Sequence, residues 1–111
     1  MIWKPVPGYE GAYDVSNEGQ VRSLATGCIL RPQHNSWGYG RVTLYKEGKA
    51  RRLFVHRIVA TVFIEQEKGC NVVNHLDFNV RNNAAWNLEW TTPKGNTRWS
   101  RSHGRWKRAL A

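Results

Sequence analysis

The chain is expected to be an α+β protein: an N-terminal antiparallel β meander, then one helix, then a strand–loop–strand–helix unit. Three observations predict this. Through residue 54, short runs of alternating apolar and polar residues are separated by glycine-bearing turns. At Val55 the apolar spacing becomes helical, and after Asn71 the chain fills with asparagine. The expected division is an N-terminal β module over 1–54 and a C-terminal unit over 55–111.

In the first part, "YEGAYDVSNEGQVRSL" places the turn Asn17-Glu18-Gly19 between Tyr13–Val15 and Gln20–Leu24. Thr26-Gly27 then reverses the chain into "CILRP", and "NSWGYG" is a loop into "RVTLY". There Val42 and Leu44 face one way, and Arg41, Thr43 and Tyr45 the other. "KEGK" is a tight turn into "ARRLF", closing a hairpin. In "VHRIVATVFI", Val55, Ile58, Val59, Val62 and Phe63 form one buried helical stripe, with Gly69 as the expected C-terminal cap. Val72–Leu76 and Leu88–Trp90 read as strands around the loop "DFNVRNNAAW". Thr92-Pro93 is a strong helix start, threonine as N-cap and proline in the first helical position.

A formal charge of +9 and a pI near 10.2 indicate a polyanionic partner, foremost nucleic acid. Hydrophobic residues make up 41% of the chain and include six tryptophans, enough for a packed core. Cys28 and Cys70 form no C-x-x-C pair, so they are expected to be reduced, partly buried thiols of a cytoplasmic protein. "MIWKPVPGYEG" has no secretory h-region, and "LFVHRIVATVFI" is too short and too charged to span a bilayer.

Seven of the nine asparagines lie between Asn71 and Asn96, around the single histidine His75. Helices and strands both disfavour asparagine, so this crowding calls for a chemical reason. A strand–loop–strand–helix unit brings Asn74 and His75 beside Asn96 in the first helical turn. Amide oxygens are hard, neutral ligands suited to Mg²⁺ or Ca²⁺ when phosphate oxygens complete the shell. His75 suits general-base work, because an imidazole titrates near neutrality. Its ring needs an orienting partner, and Asn87 at the start of the second strand is the expected one.

These residues carry a resemblance. "VNHLDFNVRNNAAWNLEWTTPKGN" resembles the HNH nuclease motif of phage and intron homing endonucleases, which have the ββα-metal fold. "VHRIVATVF" and "GYGRVTLYKEGKA" are similar to the segments that lead into that motif. "WKPVPGYEGAYDVSNEGQVRSL" resembles the small module that often precedes it. The resemblance implies a metal-dependent endonuclease that hydrolyses phosphodiester bonds of double-stranded DNA. It would leave 5′-phosphate and 3′-hydroxyl ends and nick as a monomer. It further implies one divalent cation, Mg²⁺ or Mn²⁺, and no small-molecule cofactor. By position, His75 would activate water, Asn87 would orient it, and Asn74 and Asn96 would hold the ion. Two residues depart from the family pattern. Asn74 carries no charge where aspartate is common, so weaker metal binding is expected. Phe78 replaces the usual glycine of the following turn, which is expected to change that turn's geometry.

Single residues have blander roles. Asp77, Asn79, Asn82 and Asn83 read as loop formers bonded to backbone. His56 reads as packed, Trp90 as core and Trp3 as an anchor of the N-terminal module, while His34 and His103 carry no signal. Lys46, Lys49, Arg51 and Arg52 cluster on the hairpin with Arg41 beside them, and a two-stranded ribbon fits the major groove. A merely solvated hairpin is the competing reading. Lys94, Arg98, Arg101, Arg105, Lys107 and Arg108 make an acid-free basic tail that reads as phosphate-contacting. Neutralising about five phosphates implies a log–log salt slope of roughly −4 to −5 in DNA binding. A non-catalytic DNA-binding or phage-assembly accessory protein that keeps the fold is the main rival. A zinc-stabilised module using the two cysteines and histidines is a third reading.

Overall fold

The computed structural model describes residues 1–92. The expected Pro93 helix start, Asn96 and all six tail cations from Lys94 onward lie outside the described residues.

Strands β1 (Trp3–Pro5), β2 (Tyr13–Ser16) and β3 (Val21–Ser23) form an antiparallel sheet in that order. Val15 and Val21 are cross-strand partners, and both are buried. Strand β1 escapes pattern reading because Pro5 donates no ladder hydrogen bond, a residue tolerated only on an edge such as this one. A second sheet holds β4 (Gln33–His34), β5 (Gly40–Lys46) and β6 (Lys49–Phe54). Its Glu47-Gly48 turn has positive φ at both residues (52° and 78°), the two-residue hairpin geometry that matches strand twist.

The single meander expected over 1–54 is therefore two sheets. "CILRP" contributes only the isolated bridge Arg22↔Ile29, and Gln33–His34 forms the strand instead. Pro32 cannot donate to a ladder, and pairing resumes only beyond it.

Helix α1 (Val55–Phe63) follows β6 without a linker and buries Val55, Ile58 and Val59 as the apolar stripe predicts. It stops short of the expected Gly69 cap, because Ile64 is already extended (φ −123°, ψ 128°). The next four residues, Glu65 to Lys68, offer no apolar group to bury, and helical propensity alone does not sustain another turn. Gly69 (φ +85°) instead serves a local turn closed by Cys70 N–H to the Glu67 carbonyl at 3.0 Å.

Strands β7 (Val72–His75) and β8 (Leu88–Thr91) pair antiparallel, and the Trp90 indole N–H donates to the Ala60 carbonyl at 3.1 Å. One apolar cluster runs from Val6 and Val15 through Leu44, Val55 and Val59 to Leu88. The core thus crosses the 54/55 boundary, and the N-terminal module and the β7–β8 ribbon pack on the same helix. No described helix is long and apolar enough to cross a membrane.

The N-terminal module also reaches the asparagine-rich loop. The Ser16 hydroxyl accepts from Glu18 N–H (3.2 Å) and Gln20 N–H (3.1 Å), shaping a turn whose Gly19 has φ +90°. That turn lies against the loop: the Asn17 carbonyl accepts from Ala85 N–H at 2.8 Å. A Cβ on Gly19 would sit 2.8 Å from the backbone carbonyl carbon and oxygen of Asn83. Gly19→Ala should therefore cost about 3 kcal/mol or more in urea unfolding, from combined backbone strain and overlap. A loss under about 1 kcal/mol would mean the two segments separate easily.

Candidate active site

His75 ends β7 with only 4% of its surface exposed, and its ring is fixed from two sides. Tyr39 and His56 pack tilted against it, with ring centroids at 5.8 and 5.2 Å. On the other side its Nε2 lies 2.9 Å from Asn83 Oδ1. An amide oxygen can only accept, so Nε2 carries the proton and Nδ1 keeps the lone pair. Burial lowers the His75 pKa from the ordinary histidine value, opposed by the Asn83 hydrogen bond and the Asp77 charge. The ring is held neutral with one nitrogen ready to take a proton.

Asn87 was expected as the orienting partner of this ring. Its side chain instead shapes the loop. It is fully buried, accepts from Asp77 N–H (3.0 Å), and donates to Asp77 Oδ1 (2.9 Å) and the Asn82 carbonyl (2.8 Å). Its carbonyl accepts from Leu76 N–H at 2.7 Å, just past His75. Both amide protons of Asn87 are used, so none remains for the imidazole. Asn83, not Asn87, is the loop residue whose side chain touches the ring. The remaining polar residues of the loop have the roles expected of them. Asp77 accepts from Asn79 N–H (2.8 Å) and Asn82 Nδ2 (2.9 Å), and Asn79 Oδ1 accepts from Arg81 N–H (3.1 Å). Burial pushes the Asp77 pKa up, but the bonds from Asn82, Asn79 and Asn87 outweigh it and hold the carboxylate below its usual range. Phe78 adopts φ +62°, the left-handed region that glycine favours.

Asn74 is the direct cross-strand partner of Glu89, and its Nδ2 donates to Glu89 Oε1 at 3.1 Å. Its Oδ1 has no hydrogen bond among the described residues and is a hard donor of the type a small divalent cation takes. No group of three His, Cys, Asp or Glu side chains suited to a metal occurs among the described residues. Cys28 is exposed, contrary to the expected partial burial, and Cys70 is half-buried; both are free thiols.

His56 is packed, as anticipated, and has a consequence for stability. It is 8% exposed, its Nδ1 has no hydrogen-bond partner, and Tyr39, Phe54 and His75 surround it. Burial, then the neighbouring His75 and Arg57 charges, lower its pKa to about 3. A folded-state pKa below the unfolded one means the unfolded chain binds the extra proton. Stability is therefore full above about pH 6.5 and falls as pH drops toward 3, at up to about 1.4 kcal/mol per unit for this one group. Urea unfolding from pH 7 to 4 should show that fall, and His56→Phe should remove about one proton's share of the slope. An unchanged slope would mean that His56 is protonated in the folded protein.

The basic residues of the hairpin do not form one patch. Leu44 faces Arg51 and Lys46 faces Lys49 across the ladder, while Thr43 faces Arg52 and Arg41 faces Phe54. Arg41 and Arg52 thus lie on one face and Lys46, Lys49 and Arg51 on the other. Lys46 Nζ donates to the Gly8 carbonyl at 2.8 Å, and Lys49 and Arg51 line a shallow cavity of about 350 Å³ with it.

The chain is similar to several known proteins. The NUMOD4 motif family matches residues 1–45. DNA endonuclease I-HmuI of Bacillus phage SP01 is 44% identical over 104 residues, covering 94% of this chain and 60% of that protein. An HNH endonuclease of Acanthamoeba polyphaga mimivirus is 36% identical over 102 residues, covering 92% of this chain and 30% of its own length. A solved structure described as DNA binding and cleavage by the HNH homing endonuclease I-HmuI matches with a TM-score of 0.88. That match is 44% identical and covers 95% of this chain and 60% of the other. The chain spans about 60% or less of the length of these relatives.

Proposed function

We propose that the chain, which resembles HNH homing endonucleases along 94% of its length, is a divalent-metal-dependent DNA endonuclease that nicks double-stranded DNA as a monomer. The observation that carries the reading is His75: a buried, neutral imidazole whose Nε2–H is held by Asn83 and whose Nδ1 is left as a base. Nδ1 takes a proton from the water that attacks the scissile phosphorus. Tyr39, His56 and Asn83 keep the ring from turning, so the proton-accepting atom is already oriented before DNA arrives. Asn87 and Asp77 hold the loop that supports Asn83. Asn74 Oδ1 and Asn96 would hold one Mg²⁺ or Mn²⁺. When bound, the cation supplies electrostatic stabilisation of charge on the phosphate and leaving oxygens.

DNA contact is assigned to Arg41 and Arg52 on one hairpin face and to Lys46, Lys49 and Arg51 on the other. The tail, Lys94, Arg98, Arg101, Arg105, Lys107 and Arg108, adds phosphate contacts. The reading is supported by the net charge of +9, which is large for one small domain.

The test is supercoiled plasmid incubated with the protein in Mg²⁺, Mn²⁺ or EDTA. Metal-dependent conversion to open circles that ligase reseals is expected, because resealing requires 5′-phosphate and 3′-hydroxyl ends. DNA binding without conversion in either metal would favour a non-catalytic binding protein.

A further inference from the structure

Glu89 is a half-buried acid in a strongly basic protein, yet among the described residues it has no basic partner. The ion pair found among the described residues is Arg22–Asp14 at 3.3 Å, whereas Glu89 Oε1 accepts from Asn74 Nδ2 at 3.1 Å. Residues directly opposite in an antiparallel pair share a face, so this carboxylate stands beside the amide assigned to the cation. It also fixes which way that amide points. With Nδ2 committed to an anion, Oδ1 is the atom free to ligate, and a flipped amide would set two acceptors against each other.

We propose that Glu89 is a positioning residue for the cation. It orients the Asn74 amide so that Oδ1 is the ligand atom, and it supplies from the neighbouring strand the negative charge that Asn74 lacks. The inference rests on the nuclease reading, through the assignment of Asn74 as a ligand. It bears on why a neutral side chain is workable there: the charge is displaced by one cross-strand pair.

Hydrogen bond and charge can be separated. In Glu89→Gln the Gln oxygen still accepts from Asn74 Nδ2, so a purely structural contact survives while the charge is lost. Removing one negative charge from beside a divalent cation weakens binding about tenfold even in a water-like medium. Mn²⁺ affinity of the intact protein without DNA, from the electron paramagnetic resonance signal of free Mn²⁺, is the readout, with thermal melting alongside. The expected result is about tenfold weaker Mn²⁺ binding in Glu89→Gln at an unchanged melting temperature. Recovery is expected in the double variant Asn74→Asp/Glu89→Gln, which returns one carboxylate to the pair. Unchanged Mn²⁺ affinity in Glu89→Gln, or no recovery in the double variant, would overturn the role of Glu89 while plasmid nicking by the wild type keeps the nuclease reading. A wild type that neither binds Mn²⁺ nor nicks would overturn both.

Discussion

His75→Ala is expected to slow metal-dependent nicking about 10³-fold, the usual scale for removing a general base. Supercoiled plasmid with wild type and variant in parallel, at saturating Mg²⁺, gives the measurement. The size follows from how committed the ring is. Its Nε2–H is bonded to Asn83, and no other described imidazole can take over: His56 packs 5.2 Å away with burial holding it neutral and Nδ1 out of solvent contact, and His34 is exposed on β4. Truncation also empties part of the aromatic cluster, so thermal melting of the variant must accompany the assay. His75→Gln, which keeps volume and a hydrogen-bonding amide, gives a second variant expected to fold and to remain inactive. Added imidazole should restore part of the rate in His75→Ala, with a dependence on the neutral form of the added base. Equal nicking by wild type and both variants would place the base elsewhere.

The second large effect concerns folding of the loop. Asn87 is fully buried and its side chain makes three hydrogen bonds, to Asp77 N–H, Asp77 Oδ1 and the Asn82 carbonyl. Asn87→Ala strands those partners and should destabilise by roughly 3 kcal/mol in urea unfolding. Asn87→Asp keeps the acceptor but removes both donors, and it sets a second carboxylate against Asp77. That variant should be at least as unstable as Asn87→Ala at neutral pH. It should regain stability relative to Asn87→Ala as pH falls, because a protonated carboxyl can donate to Asp77 again. Destabilisation under about 1 kcal/mol in both would show that the Asp77–Asn79–Asn82 bonds hold the loop unaided.

Much of this was legible in the residues, and the failures have physical reasons. The α1 stripe, both ribbon strands, the tight hairpin and the placement of Trp90 follow from periodicity and turn chemistry, which are local. Strand β1 and the split into two sheets were not legible, because an edge proline and a single bridge leave no pattern over three residues. His75 stood out by its setting. Asn83 did not: four polar residues of one loop, Asp77, Asn79, Asn82 and Asn83, lie close together in sequence, and which one meets an imidazole is decided by the folded loop. The same folding exchanged the expected role of Asn87 for a structural one. Glu89 gave no signal in the chain, since its meaning comes from strand register. Phe78 shows the opposite lesson: the turn demands a left-handed residue, and the fold imposes that conformation on a bulky side chain at a cost of order 1 kcal/mol.

The most direct test asks whether His75 and the cation share one site. Bound Mn²⁺ broadens proton signals near it, so the ring resonances of His75 are followed by NMR as Mn²⁺ is added at substoichiometric levels. Loss of the signals of His75 and of the His56 ring packed 5.2 Å from it is predicted ahead of those of the exposed His34, and the loss should vanish in Asn96→Ala. His75 signals that stay sharp while Mn²⁺ binds would put base and metal apart and contradict the account.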